Sequence, residues 1–192
     1  MYLKTVSDQE ATGEMAEMFA AERAGMGMVM NATRCWSARP DMLVPIERLL
    51  HQMRDGFSLG LVNFRLITLI AAKNVPSSYC SHVYFRTLSK ALGRDKVLAI
   101  YRDFRNAGLT DAEVAMLAYA EQIAIDASKI TEADIDNLRS HGFSDLNIAD
   151  IALAASYRSF MSRYFDAVGA ACEPTFLDED LEVRAELAVG KR

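Results

Sequence analysis

The chain has 192 residues, 51% apolar and 24% charged, with a formal charge of −5 and a pI near 5.3. This length suits one domain with a sizeable core, and the acidic balance argues against a general electrostatic grip on nucleic acid or anionic lipid. No stretch approaches the about 18 uncharged apolar residues of a membrane span. The opening MYLKTVSDQEATGE lacks the basic start and apolar run of a signal peptide. The protein is therefore read as cytoplasmic, without membrane or nucleic-acid partners.

In chain order the elements read as helices. Ser7 with Glu10 forms a capping box for a first helix to about Gly25. Met28 to Trp36 reads as a short helix. Pro40 opens a helix to about Gly56, with Met42, Leu43, Ile46, Leu49, Leu50 and Met53 at three- and four-residue steps. Ser58 is the expected cap of the next segment, GLVNFRLITLIAAKN. That segment is apolar almost all round and is expected at the centre of the fold. Pro76 and Ser77 break it and begin SYCSHVYFRTLSKALG, which stops at Gly93.

Asp95 to about Asn106 follows, ending at Gly108. Thr110 with Glu113 is a second capping box for a helix to about Ala127. Thr131 to His141 is short, and Ser144 starts a long final helix to Gly169. The four prolines, at 40, 45, 76 and 174, are expected near element starts and ends. No segment alternates as a strand would, so the fold class is all-α, one helical domain over 1–173. The charged tail 174–192 is expected to be mobile or to pack as an arm on another subunit.

Cys35, Cys80 and Cys172 are odd in number and widely spaced, which fits free thiols in a reducing compartment better than a disulfide framework. With three scattered histidines and no C-x-x-C or H-x-x-x-H pair, no metal cluster is expected. No Gly-rich phosphate loop appears, and no cofactor is expected.

The stretch FRLITLIAAKNVPSSYCSHVYF resembles the diagnostic region of the AhpD-like alkylhydroperoxidase and carboxymuconolactone decarboxylase family. That region is a helix with a glutamate, a turn, then C-x-x-C-x-x-x-H. Downstream, residues 109–169 resemble the peroxidase-related branch, ending in an R-x-x-D-x-x-G pattern at Arg163, Asp166 and Gly169. The resemblance spans roughly residues 38 to 170. It implies an all-helical fold with a central antiparallel helix pair at about 59–74 and 77–93. It also implies a homo-oligomer (trimer, hexamer or dimer) and a thiol cycle on peroxides, with a small molecule as substrate.

Carried across residue by residue, the family's first cysteine falls on Ser77, its second on Cys80, its histidine on Tyr84 and its glutamate on Arg65. Only Cys80 is kept, so the two-cysteine cycle cannot run here in the family's way. The first turn of a helix favours a thiolate at Cys80. Ser77, Cys80 and Tyr84 share one helix face. His82 lies about 200° around from Cys80 and is expected to point elsewhere.

Arg65, a charge in an apolar helix, is expected to face the cysteine helix. There it would favour a thiolate at Cys80 or bind a ligand carboxylate or phosphate. Each residue also has a plainer reading: an inert buried thiol for Cys80, a structural ion pair for Arg65, a helix cap for Ser77 and core packing for Tyr84. The plainer reading of His82 is a surface or subunit contact, and His51 and His141 read as helix-surface residues. Cys35 or Cys172 resolves an oxidised Cys80 only if the fold brings it near.

Three functions stay open, and with them whether the chain is an enzyme. The first is an alkylhydroperoxidase-like antioxidant reducing peroxides through Cys80 alone. The second is a decarboxylase-like enzyme that anchors a carboxylated substrate on Arg65, with Tyr84 as proton donor. The third is a non-enzymatic ligand-binding member that has lost the thiol cycle.

Overall fold

The computed structural model describes residues 1–191. It holds ten α-helices and, among those residues, no strand: α1 (Gly13–Met26), α2 (Asn31–Arg34), α3 (Pro40–Asp55), α4 (Gly60–Asn74), α5 (Ser78–Leu92), α6 (Arg94–Asp103), α7 (Asp111–Asp126), α8 (Glu132–Ser140), α9 (Asp145–Val168) and α10 (Leu181–Leu187). The all-α expectation is met. None of these helices is long and apolar enough to cross a membrane.

α4 is the hub. Phe64 and the run Leu66 to Ala72 are all buried, because α5, α7 and α9 pack around it. A helix apolar on every side has no face to offer water, so only a surrounded position satisfies it. At its end the Ser77 N–H donates to the Ala72 carbonyl at 2.9 Å, and Pro76 has no N–H with which to continue the helix. The chain then folds back as α5. The central pair expected at about 59–74 and 77–93 is observed with nearly those bounds.

Capping chemistry sets the later helix starts. Thr110 with Glu113 and Ser144 with Asn147 each close a reciprocal box on α7 and α9, and the Thr131 amide and hydroxyl both donate to Asp134 at the start of α8. Two expected caps differ. The Ser7 amide and hydroxyl donate to the Glu10 carboxylate at 3.0 and 2.7 Å, but this closes an isolated turn. α1 begins only at Gly13, whose φ of +58° interrupts any continuous helix from Ser7. Ser58 caps nothing: its N–H donates to Asp150 and its hydroxyl accepts from Asn147, both at 2.8 Å, tying the approach to α4 onto the start of α9. Pro45 also departs from expectation, sitting inside α3 rather than at an end.

The segment from Pro174 packs on its own chain. Phe176, Val183 and Leu187 are buried, and α10 lies against α5. Arg94 pairs with Asp178 at 3.0 Å, and the Gly190 N–H donates to the Ser78 hydroxyl at 2.9 Å. Apolar residues spaced among its charges give this segment an inner face, so it packs as a strap on its own chain. Arg192, the last residue of that tail, lies outside the described residues.

Gly169 closes α9 in the left-handed region at φ +71°. The Tyr2 ring sits where its Cβ would be, 2.7 Å away, so the position requires glycine twice over.

Candidate functional site

Cys80 occupies the first turn of α5 and is 1% exposed. Ser77 precedes that helix but makes no cap bond. Its hydroxyl is fully buried and unpartnered, turned toward the Asp166 carboxyl at the end of α9. What faces the thiol is Arg158, from the middle of α9. Its Nη1 donates to Cys80 Sγ at 3.3 Å and its Nη2 donates to the Tyr84 hydroxyl. The guanidinium carbon lies 4.6 Å from the centre of the Tyr84 ring. One guanidinium therefore bridges Cys80 and Tyr84, which are one turn apart on the same face of α5.

Arg158 is 3% exposed and makes no ion pair with a carboxylate among the described residues. The groups that its charge meets are Tyr84, Cys80, Tyr157 and the Glu47 carboxyl of α3. Arginine cannot shed its proton. A guanidinium buried this way gains from any anion that forms beside it, and a thiolate is one. Burial holds the Tyr84 phenol above its ordinary value, against the pull of Arg158, so at neutral pH the phenol keeps its proton.

Arg65 faces the cysteine helix, as expected, but toward Tyr84 rather than Cys80. It is partly buried on α4, and the charges it feels are Tyr84 and Arg54. The guanidinium that touches Cys80 is Arg158. An α4 residue at this position reaches the Tyr84 end of the α5 face and leaves the thiol to α9. Arg65 has no carboxylate partner among the described residues, so the ion-pair reading of it has no support there.

Glu47 of α3 is a second buried charge that sequence reasoning passed over. It is 8% exposed, and its carboxyl is pushed up to about 7, by burial first and by Glu22 next, with Arg158 and Arg54 opposing. A carboxyl raised on folding holds more protons in the native state than in the unfolded one. Its contribution to stability is therefore present at pH 5 and lost as pH rises from 4.5 through about 7. A rise of that size corresponds to roughly 3 kcal/mol. Glu47→Gln should flatten this slope: urea unfolding at pH 5 and pH 8 should differ less in the variant than in the parent. An equal pH dependence in both would exclude Glu47 as its source.

His82 points away from Cys80, as its place on the helix predicts, but not to the surface. It is 4% exposed beneath the strap, and its Nδ1 has no partner. It lines a cavity of about 620 Å³ together with Ser78, Tyr79, Cys172 and Arg184. Burial, with Arg184 adding to it, lowers its pKa and keeps it neutral at pH 7. His51 and His141 are exposed. No group of three His, Cys, Asp or Glu side chains among the described residues is placed to hold a metal ion.

The other two cysteines are also free thiols. Cys35 is fully buried, with Sγ donating to the Ala32 carbonyl at 3.0 Å. Burial, then Glu47, push it up to about 12. Cys172 is half-buried and is likewise pushed up to about 12 by burial, then Glu173.

Arg158 and Glu47 carried a legible signal. In α9, Ala154, Ala155, Arg158, Met161, Ser162 and Phe165 follow one helical face, and in α3 Glu47 shares a face with Leu43 and Ile46. A charge on an otherwise apolar stripe marks a buried charge.

No protein-family profile matches the chain, and no curated protein matches it. Solved structures do. It is similar to an uncharacterized peroxidase-related protein from Silicibacter sp. TM1040, with 22% identity over 85% of this chain and 86% of that one and a TM-score of 0.80. It is similar to an uncharacterized peroxidase-related protein from Ralstonia eutropha JMP134, described as an alkylhydroperoxidase AhpD core. There identity is 20% over 91% and 93% of the two chains, with a TM-score of 0.79. The debrominase Bmp8 matches at 18% identity over 95% and 96%, with a TM-score of 0.78. The chain thus has the AhpD-like helical fold.

Proposed function

We propose that this chain is an AhpD-like, peroxidase-related protein that reduces a small hydroperoxide through Cys80 alone. The observation that carries the reading is the Arg158 Nη1 to Cys80 Sγ contact of 3.3 Å, a fixed cation against a thiol at a helix start. The fold also serves a debrominase, so the reaction is argued from these side chains and not from the fold.

The Cys80 thiolate attacks one peroxide oxygen and the O–O bond breaks. Sulfur becomes a sulfenic acid, and the departing alkoxide takes a proton from Tyr84, which recovers one from water. A thiol reductant returns Cys80 to its starting state. A sulfur this enclosed favours a small peroxide over a bulky one.

The test is peroxide consumption with dithiothreitol. The parent should turn over and Cys80→Ser should fall to the uncatalysed background; equal rates would end the reading. Arg65 favours a second one, because it is partly buried beside Tyr84 without a carboxylate partner. It would anchor a substrate carboxylate, with the protonated Tyr84 phenol as acid. In that case turnover of a carboxylated lactone would survive Cys80→Ser and be lost in Arg65→Met.

The working form is proposed to be a homo-oligomer. Leu146, Leu153 and Phe160 recur every seventh residue on α9 and are 65%, 48% and 48% exposed, an apolar stripe suited to burial against another copy. Light scattering should give a multiple of the 21.3 kDa chain mass at micromolar concentration; the single-chain mass would remove the proposal.

A further inference from the structure

We propose that the cavity beneath the strap binds a small organic acid, with Arg184 and Lys191 meeting its carboxylate and His82 hydrogen-bonding a ligand oxygen. His82 and Cys80 point to different sides of α5, so this site stands apart from the thiol and from the peroxide reading.

The cavity holds about 620 Å³, a size usual for small-molecule sites. Its walls come from the start of α5, the end of α9, the strap, and Met1 and Tyr2. Both chain ends are fixed as walls. The Tyr2 N–H donates to the Val168 carbonyl at 2.8 Å. Gly190 lies so near the turn before α5 that a Cβ there would collide with the Pro76 carbonyl. Tyr79, Leu177, Leu181 and Ala185 make much of the lining apolar.

Charge sets the ligand's class. Arg184 and Lys191 line the cavity, and among the described residues each has only a backbone carbonyl as partner. Arg184 Nε and Nη2 donate to the Asp178 carbonyl at 3.0 and 2.6 Å, and Lys191 Nζ donates to the Asp166 carbonyl. The strap's own Asp178, Asp180 and Glu186 pair instead with Arg94 and Arg102. A carbonyl accepts a hydrogen bond but brings no net charge, so these cations gain from an anion brought beside them. One acid, Asp166, lines the cavity too, and burial holds its carboxyl above the ordinary value against the pull of Lys191. It can offset one of the two cations and no more.

His82 adds a directional group. It is 4% exposed and its Nδ1 is unpartnered, whereas buried polar atoms are nearly always hydrogen-bonded. A neutral imidazole offers one donor and one acceptor, and either suits an oxygen of a carboxylic acid ligand. A compact anion such as phosphate would leave the apolar lining unmatched, so the ligand carries an apolar body.

The probe is 4-phenylbutanoate, titrated into the full chain by calorimetry, with 4-phenylbutanamide as its uncharged counterpart. The acid should bind at a single site per chain. The amide, Arg184→Gln and Lys191→Gln should each weaken binding about tenfold or more, the scale of one charged hydrogen bond. Ala185→Phe, which fills the cavity, should abolish it. Cys80→Ser should leave it unchanged, and inorganic phosphate should not compete. The site is overturned if the acid fails to bind at about 10 mM, or if the amide binds as tightly. Displacement by phosphate, unchanged affinity in both Lys191→Gln and Ala185→Phe, or loss of binding in Cys80→Ser would overturn it as well. Peroxide turnover lost in Cys80→Ser with this binding intact separates the two sites.

Discussion

Replacing Arg158 by methionine should slow peroxide oxidation of Cys80 by about tenfold or more, while leaving the urea midpoint unchanged or higher. The first effect follows from the contact at 3.3 Å. Losing one preorganised donor to a reacting atom typically costs about a hundredfold in rate, so tenfold is a floor. The second follows from the absence of a carboxylate partner. Taking a guanidinium out of water is costly, and without an ion pair little offsets that cost, so a methionine of similar reach restores apolar packing at small loss or none. Rates are read by trapping the sulfenic acid with dimedone over time, and stability by urea unfolding. An unchanged rate would show that the guanidinium is structural. A rate lost together with most of the stability would show the same by another route.

Leu69→Ala should cost roughly 2–5 kcal/mol in urea unfolding. Leu69 is fully buried in α4, the helix on which α5, α7 and α9 converge, so the void it leaves has walls on every side and cannot collapse easily. Alanine is the better helix former, so the loss is one of packing alone. Ile125→Ala is the matching control. That side chain is 60% exposed, and surface truncations of this kind usually stay within about 0.5 kcal/mol. A Leu69→Ala loss under about 1 kcal/mol would contradict the central placing of α4.

Much of this architecture was legible in the sequence because it is decided locally. The all-round apolar stretch that became α4, the break at Pro76 and the box of Thr110 with Glu113 each rest on residues a few positions apart. The candidate site was legible only on its α5 side. Cys80 and Tyr84 share a face by helical spacing, and one guanidinium meets both. Arg158 lies 78 residues from Cys80, and nothing local to YRSFMSRYF says which helix its face will meet. Its burial could be inferred from periodicity, but its partner could not. Arg65 meets α5 as its helix suggested, while which end of that face it reaches depends on how α4 and α9 share α5. Gly13 and the burial of Ser77 show the complementary limit. A capping residue in sequence caps only if the backbone around it can turn into a helix.

The strap over α5 bears on how the protein is made. The Gly190 amide that bonds Ser78 is 112 residues further along the chain, and Val183 and Leu187, buried against the core, come nearly as late. At a synthesis rate of about 5–20 residues per second, the start of α5 leaves the ribosome on the order of ten seconds before its cover exists. During that interval Cys80 belongs to a nascent chain with the neighbouring side of α5 open. An oxidant met then finds the thiol without the enclosure that later selects what reaches it. Ribosome-bound chains stalled before residue 174 should therefore accept a bulky maleimide at Cys80 that the released protein excludes.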